Sequence, residues 1–200
     1  MSKKSKQSHS QALQDYFAES VCGENRTYIE IGGHDPIKHS NTYMLEVSKG
    51  WTGFSIELNT AHKSRWETCE ERNAKIYWAD ALTFDYPNGL VENNFSNHVG
   101  YLSCDIEPPV NTFSALQRVI NSGIEFDCIT FEHDQYANKT NVDYNSLATE
   151  FLKGHGYKVA VYDVHPINRP DRIFETWFVK NHIDMPTMSF TDWLKTISKE

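Results

Sequence analysis

Five short runs of β-branched and aromatic residues, each closing on an acid, constrain this 200-residue chain more than any other feature. They are 28–31 with Glu30, 53–57 ending in Glu57, 75–79 followed by Asp80, 99–105 ending in Asp105, and 126–131 followed by Glu132. Such runs favour strands because β-branched and aromatic side chains fill a pleated, half-buried surface. Between them lie segments with helical spacing, at 43–47, at 61–72, and from Asn111 and Thr112 through Phe113, Leu116 and Ile120. Strand alternating with helix predicts a mostly parallel sheet covered by helices on both faces. Ligands of open α/β sheets bind outside the carboxyl ends of the strands, so five acids in register converge on one cleft.

Helical spacing also marks 10–20 and 144–154, and a short C-terminal helix begins near Ser189 and Asp192. Two more strand-like runs, 157–163 and 174–179, are separated by a polar loop with Pro166 and Pro170 and no helix. That pair is expected to be antiparallel. The fold class is therefore α/β, a Rossmann-like three-layer sandwich with a seven-stranded, mostly parallel sheet and an antiparallel last strand. Residues 1–9 read as a flexible basic tail and 10–200 as a single domain. A chain this long buries about 70% of the surface that it exposes when unfolded, enough for a full core.

The first strand runs into Gly32-Gly33-His34-Asp35-Pro36, and Ser40-Asn41-Thr42 offers N-cap chemistry for the helix after it. Paired glycines let a backbone approach a ligand closely, and a helix N-terminus presents unpaired N–H groups. Glu57 follows Gly32 by 25 positions, near the ~20-residue interval at which an acid meets ribose hydroxyls in doubly wound folds.

A hydrophobic fraction of 39% with 13% aromatics describes a globular chain. A net charge of −8 counts against a protein that coats nucleic acid, whose phosphates are neutralised by Lys and Arg. No apolar run approaches the ~20 residues that span a bilayer, and a cytoplasmic location is expected. Cys22, Cys69, Cys104 and Cys128 show no CxxC spacing and read as reduced, structural thiols. The sequons at Asn25, Asn94 and Asn138 carry no weight without a secretory signal.

The series Tyr28 to Gly33, Gly53 to Glu57, Asp80-Ala81, Leu102-Ser-Cys-Asp-Ile-Glu107 and Ile129-Thr-Phe-Glu-His-Asp134 resembles the FkbM-type methyltransferases of the class I, S-adenosylmethionine-dependent superfamily. The resemblance spans about residues 10–180 and is strongest at 51–57, at Asp105-Ile106-Glu107 and at 131–134. It implies S-adenosylmethionine as cofactor, with Glu30, Gly32 and Gly33 at its methionine end, Glu57 on the ribose hydroxyls, and Asp80 and Ala81 against the adenine. Asn41, Thr42, Asn59 and Asp105 complete the expected cofactor-binding set. One departure is plain: the usual spaced glycines after strand one are replaced by Gly32-Gly33-His34-Asp35-Pro36.

Methyl transfer to oxygen needs a positioned nucleophile and a group that takes the hydroxyl proton. Asp105, Glu107, Glu132, His133 and Asp134 stand at adjacent strand ends. Two arrangements follow. His133 or Asp105, with Glu107 beside it, acts as catalytic base; or Asp105, Glu107, Glu132 and Asp134 hold Mg²⁺, a cation that prefers oxygen ligands. His34, His39, Tyr136, Arg169 and Arg172 border the site from loops, and Trp51, Trp66 and Trp78 read as packing residues or cofactor walls. The expected acceptor is a small or carbohydrate-like molecule, not nucleic acid, and a homodimer remains open. A nucleotide-sugar or dinucleotide enzyme and a non-catalytic binding module are the competing readings of the same cleft.

Overall fold

The computed structural model describes residues 7–137 and 140–198; residues 1–6 of the expected tail and the sequon at Asn138 lie outside them. Its elements run α1 (Gln14–Cys22), β1 (Thr27–Ile31), α2 (Tyr43–Lys49), β2 (Thr52–Glu57), a 3-10 turn (Thr60–His62), α3 (Lys63–Glu67), β3 (Lys75–Trp78) and α4 (Tyr86–Glu92). They continue with β4 (His98–Cys104), α5 (Pro109–Asn121), β5 (Glu125–Glu132), α6 (Tyr144–Gly154), β6 (Tyr157–Val164), β7 (Glu175–Lys180), β8 (Met188–Ser189) and α7 (Phe190–Ile197). The sheet has eight strands in the order β3-β2-β1-β4-β5-β7-β6-β8. The first five are parallel, and β7 runs antiparallel to both β5 and β6. The eighth strand, which the sequence did not announce, is a two-residue piece pairing Met188 and Ser189 with β6 just before α7. Strand order reverses direction between β1 and β4, and the loops leaving that pair open the crevice in which ligands of this architecture bind.

Both faces of the sheet are covered. On one, Ile29, Ile31, Phe54, Leu102 and Ile129 pack against Leu90 of α4, Leu116 and Val119 of α5, and Leu152 of α6. On the other, Tyr28, Tyr101 and Cys128 meet Phe17 of α1, Leu45 of α2 and Trp193 of α7. Trp177 anchors this second layer, with its ring 4.7 Å from Phe17 and 5.0 Å from Trp193 in an edge-on pair. Such aromatic pairs add about 0.5–1.5 kcal/mol beyond the area they bury.

Two helices differ from expectation for identifiable reasons. The stretch 61–72 is helical only at Lys63–Glu67, because Arg72 turns inward and the chain leaves the helix to carry it there. Helix α4 was missed although its start is well formed: Asp85 accepts from the Asn88 N–H at 3.0 Å, and Pro87 occupies the first turn. At the N-terminus, Ser8 donates to Asp15 at 2.7 Å and the His9 ring lies 4.7 Å from Tyr43.

Candidate active site

A polar row crosses the sheet one or two residues before the carboxyl ends of its parallel strands. Register places Ser55 beside Glu30, Glu30 beside Ser103, and Ser103 beside Thr130. The Ser55 hydroxyl donates to Glu30 Oε2 at 2.6 Å, Asn41 Nδ2 donates to Ser103 at 3.0 Å, and the Tyr101 and Thr130 hydroxyls share a 2.8 Å bond. Above this row opens a cavity of about 280 Å³, lined by Gln11, Glu30, Gly32, Gly33, His34, Asp35, His39, Ser40, Asn41, Glu57, Asp105, Ile106 and Glu107. The structure thus brings together, around one cleft, Glu30, Gly32, Gly33, Asn41, Glu57, Asp105 and Glu107 of the residues expected there.

The two glycines act differently from expectation. Gly32 has φ +94°, and a β-carbon on it would fall 1.7 Å from the Asp105 carbonyl oxygen; Gly33 would meet the Ser55 β-carbon at 2.9 Å. Both residues let strand ends approach one another, with the Asp105 N–H bonded to the Ile31 carbonyl at 2.9 Å and the N–H groups of Gly32 and Gly33 to the Ile56 carbonyl. Glu57 closes the far wall: its oxygens accept from the backbone N–H of His34 (2.9 Å) and of Asn59 (2.6 Å). A carboxylate has about four lone-pair sites, so this leaves Glu57 acceptor capacity toward the cleft.

Arg72, absent from the sequence-based set, organises the loop after β1. Its buried guanidinium donates to Glu46 (2.8 Å), the Pro36 carbonyl (3.0 Å), Ser40 (3.0 Å), Tyr28 (2.8 Å) and Thr42 (2.9 Å), and lies 3.9 Å from Glu30. Trp66 stacks on it at 4.6 Å and donates to the His34 carbonyl at 2.9 Å. Thr42 is therefore a loop brace, and Ser40 caps α2 by accepting from the Tyr43 N–H at 3.1 Å. Burial raises the Glu30 carboxyl, and Arg72 and Ser55 oppose that rise. Asp35 stays acidic despite its burial, held by the N–H groups of Lys38 and Ile37 and by Arg65.

Beside the cleft, four carboxyls of differing exposure lie close together: Asp134 buried, Asp105 and Glu132 half-buried, Glu107 exposed. Glu132 hydrogen-bonds Asp105, and Asp134 hydrogen-bonds Glu107 and Glu132. Burial, then the neighbouring Asp105, lifts Glu132 well above the carboxylate range, and burial raises Asp105 as well. Asp134 is pushed up to about 7 by burial and by Glu107. Glu175, opposite Glu132 in the β5–β7 register, is pushed up to about 8 by burial while accepting from Gln14 at 3.0 Å and Trp177 at 2.6 Å. Gln14 and Glu175 were also missed.

The structure gives the expected Mg²⁺ set of Asp105, Glu107, Glu132 and Asp134 no support. Among the described residues no three His, Cys, Asp or Glu side chains are arranged to hold a metal ion.

Other expected residues stand apart from the cleft. His133 is buried, with Nδ1 accepting from the Gln135 N–H and Nε2 facing the Thr176 hydroxyl, both at 3.3 Å. Burial lowers it to about 4, leaving a neutral imidazole that faces a separate cavity of about 260 Å³ beside Asp143 and Asn145. Asp80 accepts from the Leu82 N–H at 2.8 Å and Ala81 accepts from the Tyr86 hydroxyl at 2.9 Å; neither lines the cleft, nor does Asn59, which caps the 3-10 turn. Leu58, next to Glu57 in sequence, is 69% exposed and does not line the cleft either.

No family model and no curated protein matches this chain. Solved structures do. Fibrillarin, a pre-rRNA processing protein of Methanococcus jannaschii, superposes with a TM-score of 0.57 at 14% identity over 79% of this chain and 67% of that one. Aeropyrum pernix fibrillarin with natively bound S-adenosyl-L-methionine gives 0.54 at 12% identity, covering 84% and 76%. The small RNA methyltransferase HEN1 gives 0.55 at 13% identity over 88% of this chain, which spans only 25% of HEN1's length. These neighbours lend no support to setting nucleic acid aside as an acceptor. The chain has the Rossmann-like α/β fold of the S-adenosylmethionine-dependent methyltransferases.

Proposed function

We propose that this protein is an S-adenosylmethionine-dependent methyltransferase of the FkbM type, acting in the cytoplasm on a hydroxyl of a small or carbohydrate-like acceptor. The observation that carries this reading is the cleft at the β1–β4 crevice, walled by Glu57 on one side and Asp105 and Glu107 on the other. When bound, S-adenosylmethionine supplies a methyl group on a positively charged sulfur. Glu57 accepts from ribose hydroxyls through its free lone pairs. Glu30, Gly32, Gly33 and Asn41 enclose the methionine end. Asp80 and Ala81 take no part in this reading of the cleft.

Asp105 is the group for the acceptor's proton. It is half-buried in the cleft wall, and burial raises its carboxyl above the ordinary carboxylate value, which makes it a stronger base. Glu132 holds Asp105 in place, and Glu107 reaches the rim where an acceptor enters. His133 is a brace for the β5 end, with both ring nitrogens engaged.

An RNA acceptor is the second reading. Tyr136 is 48% exposed with the Arg172 guanidinium 5.3 Å from its ring centre, an arrangement suited to stacking a base and contacting a phosphate. The surrounding carboxyls weigh against a polyanion. The test is transfer of labelled methyl from S-adenosylmethionine to glycosides, small diols and structured RNA. The expected result is labelling of a small hydroxyl acceptor, reduced about 10²–10⁴-fold in Asp105→Asn. Labelling of RNA alone would replace the acceptor, and labelling undiminished by Asp105→Asn would remove Asp105 as base.

A further inference from the structure

Cys22 closes α1 and Cys128 sits in the middle of β5, yet their sulfurs lie 3.7 Å apart across 106 positions of sequence. Both are free thiols, and both turn toward one acceptor, the Gly100 carbonyl on β4, at 3.4 and 3.7 Å. Packing alone accounts for a solitary buried cysteine such as Cys104, whose thiol faces the Thr112 carbonyl at 3.5 Å. It does not call for two thiols from separate elements in mutual contact. Access differs between the pair: Cys128 is fully buried and Cys22 is partly exposed.

We propose that Cys22 and Cys128 are an oxidisable dithiol, a modification site whose disulfide fastens α1 to the sheet. Hydrogen peroxide or a related peroxide is the oxidant. The accessible Cys22 sulfur attacks one peroxide oxygen, the O–O bond breaks, and a sulfenic acid and one water result. The Cys128 sulfur then attacks Cys22; the S–S bond forms, the S–O bond breaks, and the departing hydroxide takes the Cys128 proton as a second water. The two thiols lose two electrons and two protons, and the peroxide gains both. Closing the sulfurs to the ~2.05 Å of a disulfide is within reach of side-chain rotation and a small shift of the helix end.

The link has a consequence for the cleft. Helix α1 carries Gln14, which holds Glu175 at 3.0 Å, and Gln11 just before it lines the cavity. Fastening its far end fixes one wall of the site, whatever that site binds.

The experiment treats the full chain with hydrogen peroxide, blocks remaining thiols, and maps peptides by mass spectrometry with and without dithiothreitol. Expected are a mass loss of about 2 Da, one reducible cross-link joining Cys22 to Cys128, slower amide exchange in α1, and a melting midpoint raised by about 5–10 °C. Cys22→Ser and Cys22→Ala abolish all four changes, and Cys69→Ser leaves them intact. Sulfinic acid on Cys22 with no cross-link, or a cross-link to Cys69 or Cys104, would overturn the site. A Cys22–Cys128 link that leaves α1 exchange unchanged would overturn the fastening of α1.

Discussion

Replacing Arg72 by Met tests how the cleft is built. Methionine keeps much of the apolar stem and removes every donor. In the native chain the Arg72 side chain is 1% exposed and its guanidinium serves five acceptors at 2.8–3.0 Å, with Glu30 at 3.9 Å. Removing one partner of a buried ion pair costs roughly 3–5 kcal/mol, because the other charge stays buried without compensation. Here two carboxyls, Glu30 and Glu46, would be left so. A domain has about 5–15 kcal/mol of stability in total, so the loss is a large fraction of it. At about 2–4 °C per kcal/mol for this chain length, the melting midpoint drops by roughly 6–20 °C. Urea unfolding followed by circular dichroism gives the free energy directly, with the midpoint concentration falling and the slope unchanged. Arg72→Lys recovers only part of the loss, since an ammonium has three donors and no planar fork. Adding Glu46→Gln to Arg72→Met costs less than the sum of the single changes, because the pair is coupled. A loss under about 1 kcal/mol for Arg72→Met would refute the assignment of Arg72 as the brace of this loop.

Gly32→Ala should abolish folding or cost more than about 4 kcal/mol, since its β-carbon lands 1.7 Å from the Asp105 carbonyl at φ +94°. Gly154→Ala, at the end of α6 with no atom within 4 Å, is the matching control and should gain about 0.5–1 kcal/mol. Both are read by thermal unfolding of purified protein. Stability should also fall as pH rises from about 4 to 8. Burial lifts Asp15 to about 6, Asp134 to about 7 and Glu175 to about 8, so the folded chain binds protons more tightly than the unfolded one across that window. Glu175→Gln should flatten the upper part of the melting-midpoint curve between pH 7 and 9, and an unaltered slope would show that Glu175 titrates normally.

The strand ends were legible because their chemistry is local. Runs such as Tyr28-Ile29-Glu30-Ile31 carry their β character in the residues themselves, and the acids that follow fall in register once the strands are parallel. Helix α6 was equally plain, with Asp143 before it and alternating apolar turns within it. Arg72 was hidden for the opposite reason. It stands in a charge-rich stretch that reads as solvated surface, and its partners lie 26 to 44 positions away. Gln14 and Glu175 meet across 161 positions, a pairing that no window of sequence contains. His133 misled because position at a strand end says nothing of which way a ring turns; in the fold it turns to Thr176 and Gln135. The Mg²⁺ reading finds no support on a related point: acids at neighbouring strand ends need not be arranged as ligands, and among the described residues no three are.

The central claim is that the β1–β4 cleft binds an adenosyl cofactor with Glu57 on its ribose. Isothermal titration with S-adenosylhomocysteine measures this directly, comparing the native chain with Glu57→Ala at one pH and salt concentration. The account predicts one site per chain with a dissociation constant in the micromolar range, weakened at least tenfold, or about 1.4 kcal/mol, by the substitution. No binding to the native chain, or equal binding by Glu57→Ala, would contradict it.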